Sequence, residues 1–320
     1  GTRRHTKAHE GTRRHTKAHE ELKSIIFISC RNFFYSLPYI MKKAELSALF
    51  KRLDFHPSRR LGQNFLLDGN LLDAMLKHSA PRAGEEVLEV GPGAGVLTER
   101  LLASGCHLTA IELDHRLADW LAERFAGQAN FRLLQADACK VDYAELFGAR
   151  PFRCIANLPY SCSSVFLARA CSGSNPPQEL YILLQKEMGS RLLAGVGSKE
   201  YGALSARLAW RYESKLLRDV PPQVFFPEPE VQSCFVKMSL KRRLPQATSL
   251  ELAEKLVARA FSQRRKISLR LLQSLLPQAD MSRAFAELEL HEESRAEHIS
   301  PAQYLALAEL LLAKQKNPMK

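Results

Sequence analysis

Between residues 87 and 185, short apolar runs alternate with segments of helical period, and this alternation constrains the fold more than any other feature. The runs are 87–90, 108–112, 131–135, 152–156 and 180–185; segments 96–103, 116–125 and 164–170 lie among them. Runs this short suit strands rather than helices. Their near-continuous apolar content suits strands covered on both faces. Strands alternating with helices imply an α/β fold with a parallel sheet. Ligands on such sheets bind beyond the carboxyl ends of the strands. The residues that close or follow these runs, Gly91, Glu112, Asp137 and Asn157, therefore carry the functional argument.

Around this core the pattern predicts a helix over 42–53, a basic, turn-like linker over 56–66 and helices over 71–78 and 201–212. Runs 214–219 and 231–240 flank a Pro-rich loop and are expected to pair antiparallel at the sheet edge. Beyond a charged linker at 241–245 the periodicity is purely helical, over 250–261, 267–276, 281–288 and 301–313. The expected organisation is a ligand-binding domain over 41–243 and a small all-helical domain over 244–320. Residues 1–20 are the decapeptide GTRRHTKAHE twice over. Two units are too few for a repeat fold. Residues 1–40 are expected to be a disordered, dispensable extension upstream of a true start at Met41, and Glu10, Glu20 and Glu21 count against a transit peptide.

With 46 Lys and Arg against 34 Asp and Glu, the chain carries a formal charge of +12, which suits a polyanionic partner such as nucleic acid. The seven cysteines include no C-x-x-C pair, so neither a zinc site nor a redox motif is indicated, and a reducing cytoplasm is the natural compartment. The longest apolar candidate for a membrane span, 22–40, is broken by Lys23, Arg31, Asn32 and Pro38.

Gly91-x-Gly93-x-Gly95 follows the first run at a strand-to-helix turn, where glycines let the backbone approach a ligand. The third glycine comes one position earlier than in the dinucleotide fingerprint. Glu112 can take both ribose hydroxyls and Asp137 the amino group of an adenine; Glu112 alone fits nicotinamide and adenosylmethionine enzymes equally. Asp114 reads as the cap of the following helix. The turn Asn157-Leu158-Pro159-Tyr160 narrows the choice. The Asn157 side chain and the Leu158 backbone offer carbonyls to an exocyclic amino group, Tyr160 offers a ring to stack on a base, and Phe225 can close the other side. The basic run Arg264-Arg265-Lys266, with Arg259 near it, and the pair Arg59-Arg60 suit phosphate contacts.

Taken together and in order, these motifs resemble the bacterial small-subunit ribosomal RNA adenine dimethyltransferases, the kasugamycin-sensitivity methylases. The likeness runs from about Arg59 to Tyr304 and includes segments 62–66, 87–98, 111–114, 135–138, 157–160, 184–188, 199–205, 225–233 and 261–266. It implies a Rossmann-like class I methyltransferase domain with a small helical carboxy-terminal domain. It further implies transfer of four methyl groups from S-adenosyl-L-methionine to N6 of two adjacent adenosines, in the loop of the last helix of small-subunit rRNA. The expected setting is an assembling subunit (a pre-30S particle), with a monomeric enzyme, no metal and no membrane. Cofactor contacts carried over by motif fall on Gln63, Asn64, Leu66, Gly91, Gly93, Glu112, Leu113, Asp137, Ala138 and Asn157. The chain departs from the family pattern at Glu230, at Leu269-Arg270 and at His298, all in segments that bear on RNA contact. A large-subunit methylase of the macrolide-resistance type shares the fold and the turn. Segment 199–205 and the helical carboxy-terminal pattern favour the small-subunit group. A non-enzymatic nucleic-acid-binding relative is disfavoured by the intact glycines and Asn157–Tyr160 turn.

Overall fold

The computed structural model describes residues 41–58, 61–277 and 279–316. Residues 1–40, with the repeated decapeptide, and the pair Arg59-Arg60 lie outside them.

The chain opens with α1 (Lys43–Arg52), β1 (Phe65–Leu66) and α2 (Gly69–Ser79). Then come β2 (Glu86–Val90), α3 (Val96–Ala103), β3 (His107–Glu112), α4 (His115–Arg124), β4 (Phe131–Gln135), α5 (Tyr143–Phe147) and β5 (Phe152–Asn157). They are followed by α6 (Ser163–Ser172), β6 (Glu179–Gln185), α7 (Lys186–Leu192), α8 (Ala203–Arg211), β7 (Tyr212–Val220), β8 (Phe225–Phe226) and β9 (Ser233–Leu240). The chain closes with α9 (Ala247–Phe261), α10 (Ser268–Leu275), α11 (Met281–Glu287) and α12 (Pro301–Lys316). Aspartates set several starts: Asp68, Asp114, Asp142 and Asp280 each accept from backbone N–H groups of the helix that follows. Asp114 thus has the capping role read from the sequence.

The central sheet runs β4-β3-β2-β5-β6-β9-β7. Its first five strands are parallel; β9 lies antiparallel to β6, and β7 antiparallel to β9 at the edge. Chain order reverses between β2 and β5, so their carboxyl ends open the crevice where such sheets take ligands. The inner strand runs are largely apolar because both faces are covered, whereas the edge strand β4 is only partly buried. On one face Val87, Ile155, Tyr181, Leu183 and Phe235 join a core with α1 to α4. On the other, Leu88, Cys154, Ala156, Leu180, Ile182, Leu184 and Val236 join a second core. Successive residues alternate between the two, as a period of two requires.

A third core gathers α9 to α12 around Leu256, Phe285, Tyr304 and Leu307. It also takes in Tyr201, Ala206 and Trp210 from the segment before β7. The Trp210 indole donates to the Pro301 carbonyl at 2.6 Å, and the Tyr201 hydroxyl to that of Ile299 at 3.1 Å. The helical layer therefore reaches back across residue 243, because α8 buries one side against β7 and another against α9 and α12.

Candidate active site

The carboxyl ends of β2 to β5 border a cleft of about 1040 Å³, its open mouth included. Its floor is the glycine turn. Gly91, Gly93 and Gly95 have φ values of +70°, +59° and +84°, which side chains rarely adopt. Space forbids a side chain as well. A Cβ on Gly91 would stand 2.7 Å from the Pro159 ring, and one on Gly93 would stand 2.9 Å from the Phe65 ring. The glycines let the turn pass beneath both the Asn157–Tyr160 turn and β1.

Three carboxylates line the cleft. Glu112 is buried at the end of β3; its Oε1 accepts from the N–H groups of Leu113 (2.9 Å) and Asp114 (3.0 Å), and its Oε2 from that of Gly93 (3.1 Å). Burial pushes its carboxyl above the usual range, and the three donors pull the other way. These contacts occupy three of roughly four acceptor positions, so Oε2 keeps room for one more donor. The expectation that Glu112 takes both ribose hydroxyls meets that limit. Asp137 Oδ1 accepts from the Cys139 N–H at 2.9 Å, which braces its turn. Lys140 stands 3.6 Å from the other oxygen but is 84% exposed, and so scarcely neutralises it.

Glu89 is the carboxylate that the sequence reading passed over. It sits inside the first apolar run, 2% exposed, and accepts a 2.7 Å hydrogen bond from the buried Thr98 hydroxyl. Burial pushes its pKa up to about 8. Its second oxygen has no donor among the described residues. A lone acid within a run covered on both faces was the available signal.

The loop before β1 lies across the Asn157–Tyr160 turn. The Asn157 amide nitrogen donates to the Asn64 carbonyl at 2.9 Å. That contact fixes which way the amide points and leaves Oδ1 as an acceptor with no donor among the described residues. Leu158 is buried with its N–H on the Leu183 carbonyl at 3.2 Å. Ser161 donates to the Leu61 carbonyl at 2.8 Å. Gln63 closes its own loop by accepting from the Ser58 N–H at 2.8 Å. Gly62 has φ +64°, and a Cβ there would meet the backbone nitrogens of Tyr160 and Ser161 at 2.8 Å. Ser161 was also missed, and the contact of Gly62 with the Tyr160–Ser161 backbone exists only in the folded structure.

The cleft thus unites Gln63, Asn64 and Leu66 with Gly91 and Gly93, and these with Glu112, Leu113, Asp137 and Ala138. Asn157, Leu158, Pro159 and Tyr160 complete it. Phe225 is the exception. It pairs with Leu66 across the β1–β8 bridge, and its ring is buried (4% exposed) in the core rather than in the cleft wall. It does not close over a base here, because the two-residue strand turns it inward.

The basic run also divides. The Arg259 guanidinium binds the Leu271 carbonyl (3.2 Å) and Ser274 Oγ (2.7 Å) at the end of α10. Arg264 reaches the Ser198 carbonyl at 3.2 Å and Glu297 at 3.3 Å. Arg265 and Lys266 are exposed, with no such partner among the described residues.

The cleft offers acceptors for hydroxyl and amino groups, a buried carboxyl that a cation would draw toward its ionised form, and a glycine-rich floor. S-adenosylmethionine offers the matching groups, so the residues present fit it. Ribosomal RNA small subunit methyltransferase A of Methylibium petroleiphilum is 38% identical over 252 residues, 78% of this chain and 94% of that protein. A dimethyladenosine transferase from Plasmodium falciparum superposes with a TM-score of 0.65 at 23% identity, over 80% of this chain and 98% of that one. The 23S rRNA methyltransferase ErmE does so at 0.59 and 23%, over 78% and 99%. These two share the Rossmann-like class I methyltransferase fold seen here. The model of the family described as ribosomal RNA adenine dimethylase matches residues 55–313, and the chain belongs to that family.

Proposed function

We propose that this protein transfers methyl groups from S-adenosylmethionine to N6 of adenosines in small-subunit ribosomal RNA. The substrate is the pair of adjacent adenosines in the loop of the 3′-terminal helix, methylated in the cytoplasm by a monomer acting on an assembling subunit. Among the described residues, no helix is long and apolar enough to cross a membrane. The observation that carries the reading is the Asn157 amide, locked through its nitrogen on Asn64 and left with a free carbonyl beside the acid-lined cleft.

The bound cofactor supplies an electrophilic methyl group on a sulfonium. The adenine amino group is a weak nucleophile because its lone pair is delocalised into the ring. Asn157 Oδ1 and the Leu158 carbonyl would accept its N–H bonds and favour the pyramidal form that frees the lone pair, and the nitrogen that gains a methyl gives up one N–H proton to water. Tyr160 stacks on the unstacked base. Alignment rather than a strong base does most of the work, and near-attack positioning can supply up to about 7–11 kcal/mol. Glu112 Oε2 takes a ribose hydroxyl and Asp137 the cofactor's adenine amino group. Gln63, Asn64, Leu66, Leu113 and Ala138 form the surrounding wall over the Gly91 and Gly93 floor. Glu89 takes the cofactor's ammonium group, since it is the buried acid with an unused oxygen. Arg265 and Lys266 contact phosphates.

The test is tritiated methyl transfer to undermethylated small subunits and, in parallel, to large-subunit RNA, with the labelled bases mapped. Label on two adjacent adenosines near the 3′ end is expected. Label confined to large-subunit RNA would replace this reading with the macrolide-resistance type. Binding without transfer would make the protein a non-enzymatic relative.

A further inference from the structure

Tyr160 is held by a residue far from it in sequence. Its hydroxyl lies 2.5 Å from Ser233 Oγ, and either can donate. Ser233 opens β9 with no exposed surface (0%) and is paired on both sides, with Gln185 of β6 and Val220 of β7. A residue flanked by two strands cannot follow a moving ring, so the ring must keep its place to keep the bond. The other ties on this turn act elsewhere. Ser161 on Leu61 fixes the backbone, and Asn157 on Asn64 fixes the amide. Among the described residues no other hydrogen bond reaches the Tyr160 side chain. Its two side-chain torsions would otherwise be limited by packing alone.

We propose that Ser233 is a positioning residue for methyl transfer, holding the Tyr160 ring in the plane that receives the target base before RNA arrives. The proposal rests on the reading of the cleft as a base-methylating site. Ser233 touches neither base nor cofactor; it acts through the Tyr160 hydroxyl. Its loss should therefore lower kcat and leave cofactor affinity alone, because a ring that samples several planes costs alignment rather than ground-state binding.

A double-mutant cycle tests this. Ser233→Ala should lower kcat on undermethylated small subunits roughly five- to tenfold, the rate equivalent of one neutral hydrogen bond. Calorimetric affinity for S-adenosylmethionine should not change, and Ser233→Thr should restore most of the rate. Tyr160→Phe should show a similar loss. Adding Ser233→Ala to Tyr160→Phe should cost nothing further. That pair leaves no polar group unpaired, so it keeps the test readable if Ser233→Ala alone folds poorly. Losses that multiply in the double variant would overturn the proposal, as would a weakened cofactor affinity in Ser233→Ala. A fluorotyrosine at position 160, followed by NMR in the free protein, reads the ring without any substrate. One narrow resonance that broadens or shifts in Ser233→Ala is expected, and an unchanged spectrum refutes the anchor. If the wild type moves no label into small-subunit RNA, the functional reading falls and the proposal with it. If it turns over normally while the cycle is additive, only the role of Ser233 falls.

Discussion

The cleft and the basic run at 263–266 hold their polar groups by opposite means. In the cleft, Asn157, Glu112 and Tyr160 are each tied to a partner, and those of Asn157 and Tyr160 lie 93 and 73 residues away in the chain. In the run, Arg264 is tied to Ser198 and Glu297, whereas Arg265 and Lys266 face solvent. The difference fits the roles proposed for the two sites. Methyl transfer depends on alignment, so its groups are fixed before the substrate arrives. Phosphate contacts draw on charge and counterion release, which tolerate mobile side chains. Substitutions in the cleft should therefore change rate, and substitutions in the run should change salt-dependent affinity.

Asn157→Ala should break the cleft most severely. Methyl transfer should fall by about 10²-fold or more, the range for a lost group that acts in the transition state. Calorimetric affinity for S-adenosylmethionine should change far less than the rate, and the melting temperature should fall only by the loss of the hydrogen bond to Asn64. Wild-type turnover in the variant would remove Asn157 from the mechanism.

The next largest effect concerns Glu89. Its carboxyl is near 4.5 in the unfolded chain and near 8 in the fold. A folded value above the unfolded one means the native state keeps a proton that the unfolded chain gives up. The stability this contributes is complete below about pH 4.5 and is lost as pH rises through about 8. On the order of a few kcal/mol is at stake. Thermal melts of the cofactor-free protein should fall over that window, and Glu89→Gln should flatten the fall. If Glu89 meets the cofactor's ammonium group, binding at pH 7 should also release up to about one proton, because the incoming charge favours the carboxylate. Calorimetry in buffers of different ionisation enthalpy measures this. Melts that diverge between the two proteins without proton release on binding would leave Glu89 a buried acid of the strand with no part in the cofactor site.

These cases mark what could be read from the sequence. The strand alternation placed Glu112, Asp137 and Asn157 at strand ends, because period and order are local properties. The joining of Gly62 to Tyr160 and of Ser233 to the Tyr160 hydroxyl is not local, and each of those residues is unremarkable in its own segment. The sequence Phe225-Phe226 does not say which ring turns inward. The antiparallel bridge to Phe65-Leu66 decides it, and two residues are too few to leave a periodic signal. Likewise, Arg259 reads as a free cation until α10 brings the Leu271 carbonyl beside it.

Gly91→Ala joins the two halves of the cleft in one substitution. The methyl needs a backbone at φ +70° and would stand 2.7 Å from the Pro159 ring. The left-handed backbone alone costs about 1–2 kcal/mol, and relief of the clash must move the catalytic turn. A lower melting temperature and a reduced methyl-transfer rate are both expected. A variant that melts lower but turns over normally would show that the turn can shift without losing alignment, and that the cleft tolerates mobility as the basic run does.

The smallest effect, and the sharpest test of the contrast, lies in the run itself. Arg265 and Lys266 face solvent, whereas Arg264 is bound to Ser198 and Glu297. If the two exposed cations each meet a phosphate, Arg265→Ala with Lys266→Ala should lower the slope of log K against log salt by about two units. Arg264→Ala should change that slope by less, because its charge is already opposed by Glu297. Its removal should instead loosen the contact with the 198 loop and show as a lower melting temperature. Filter binding to undermethylated small subunits over a salt series measures the slopes, and calorimetry with S-adenosylmethionine should give the parental affinity in every variant. If the double variant keeps the parental slope while Arg264→Ala loses a full unit, the tied arginine is the one that reads RNA. Affinity would then depend on placed cations here, as rate depends on placed groups in the cleft, and the two regions would not differ in kind.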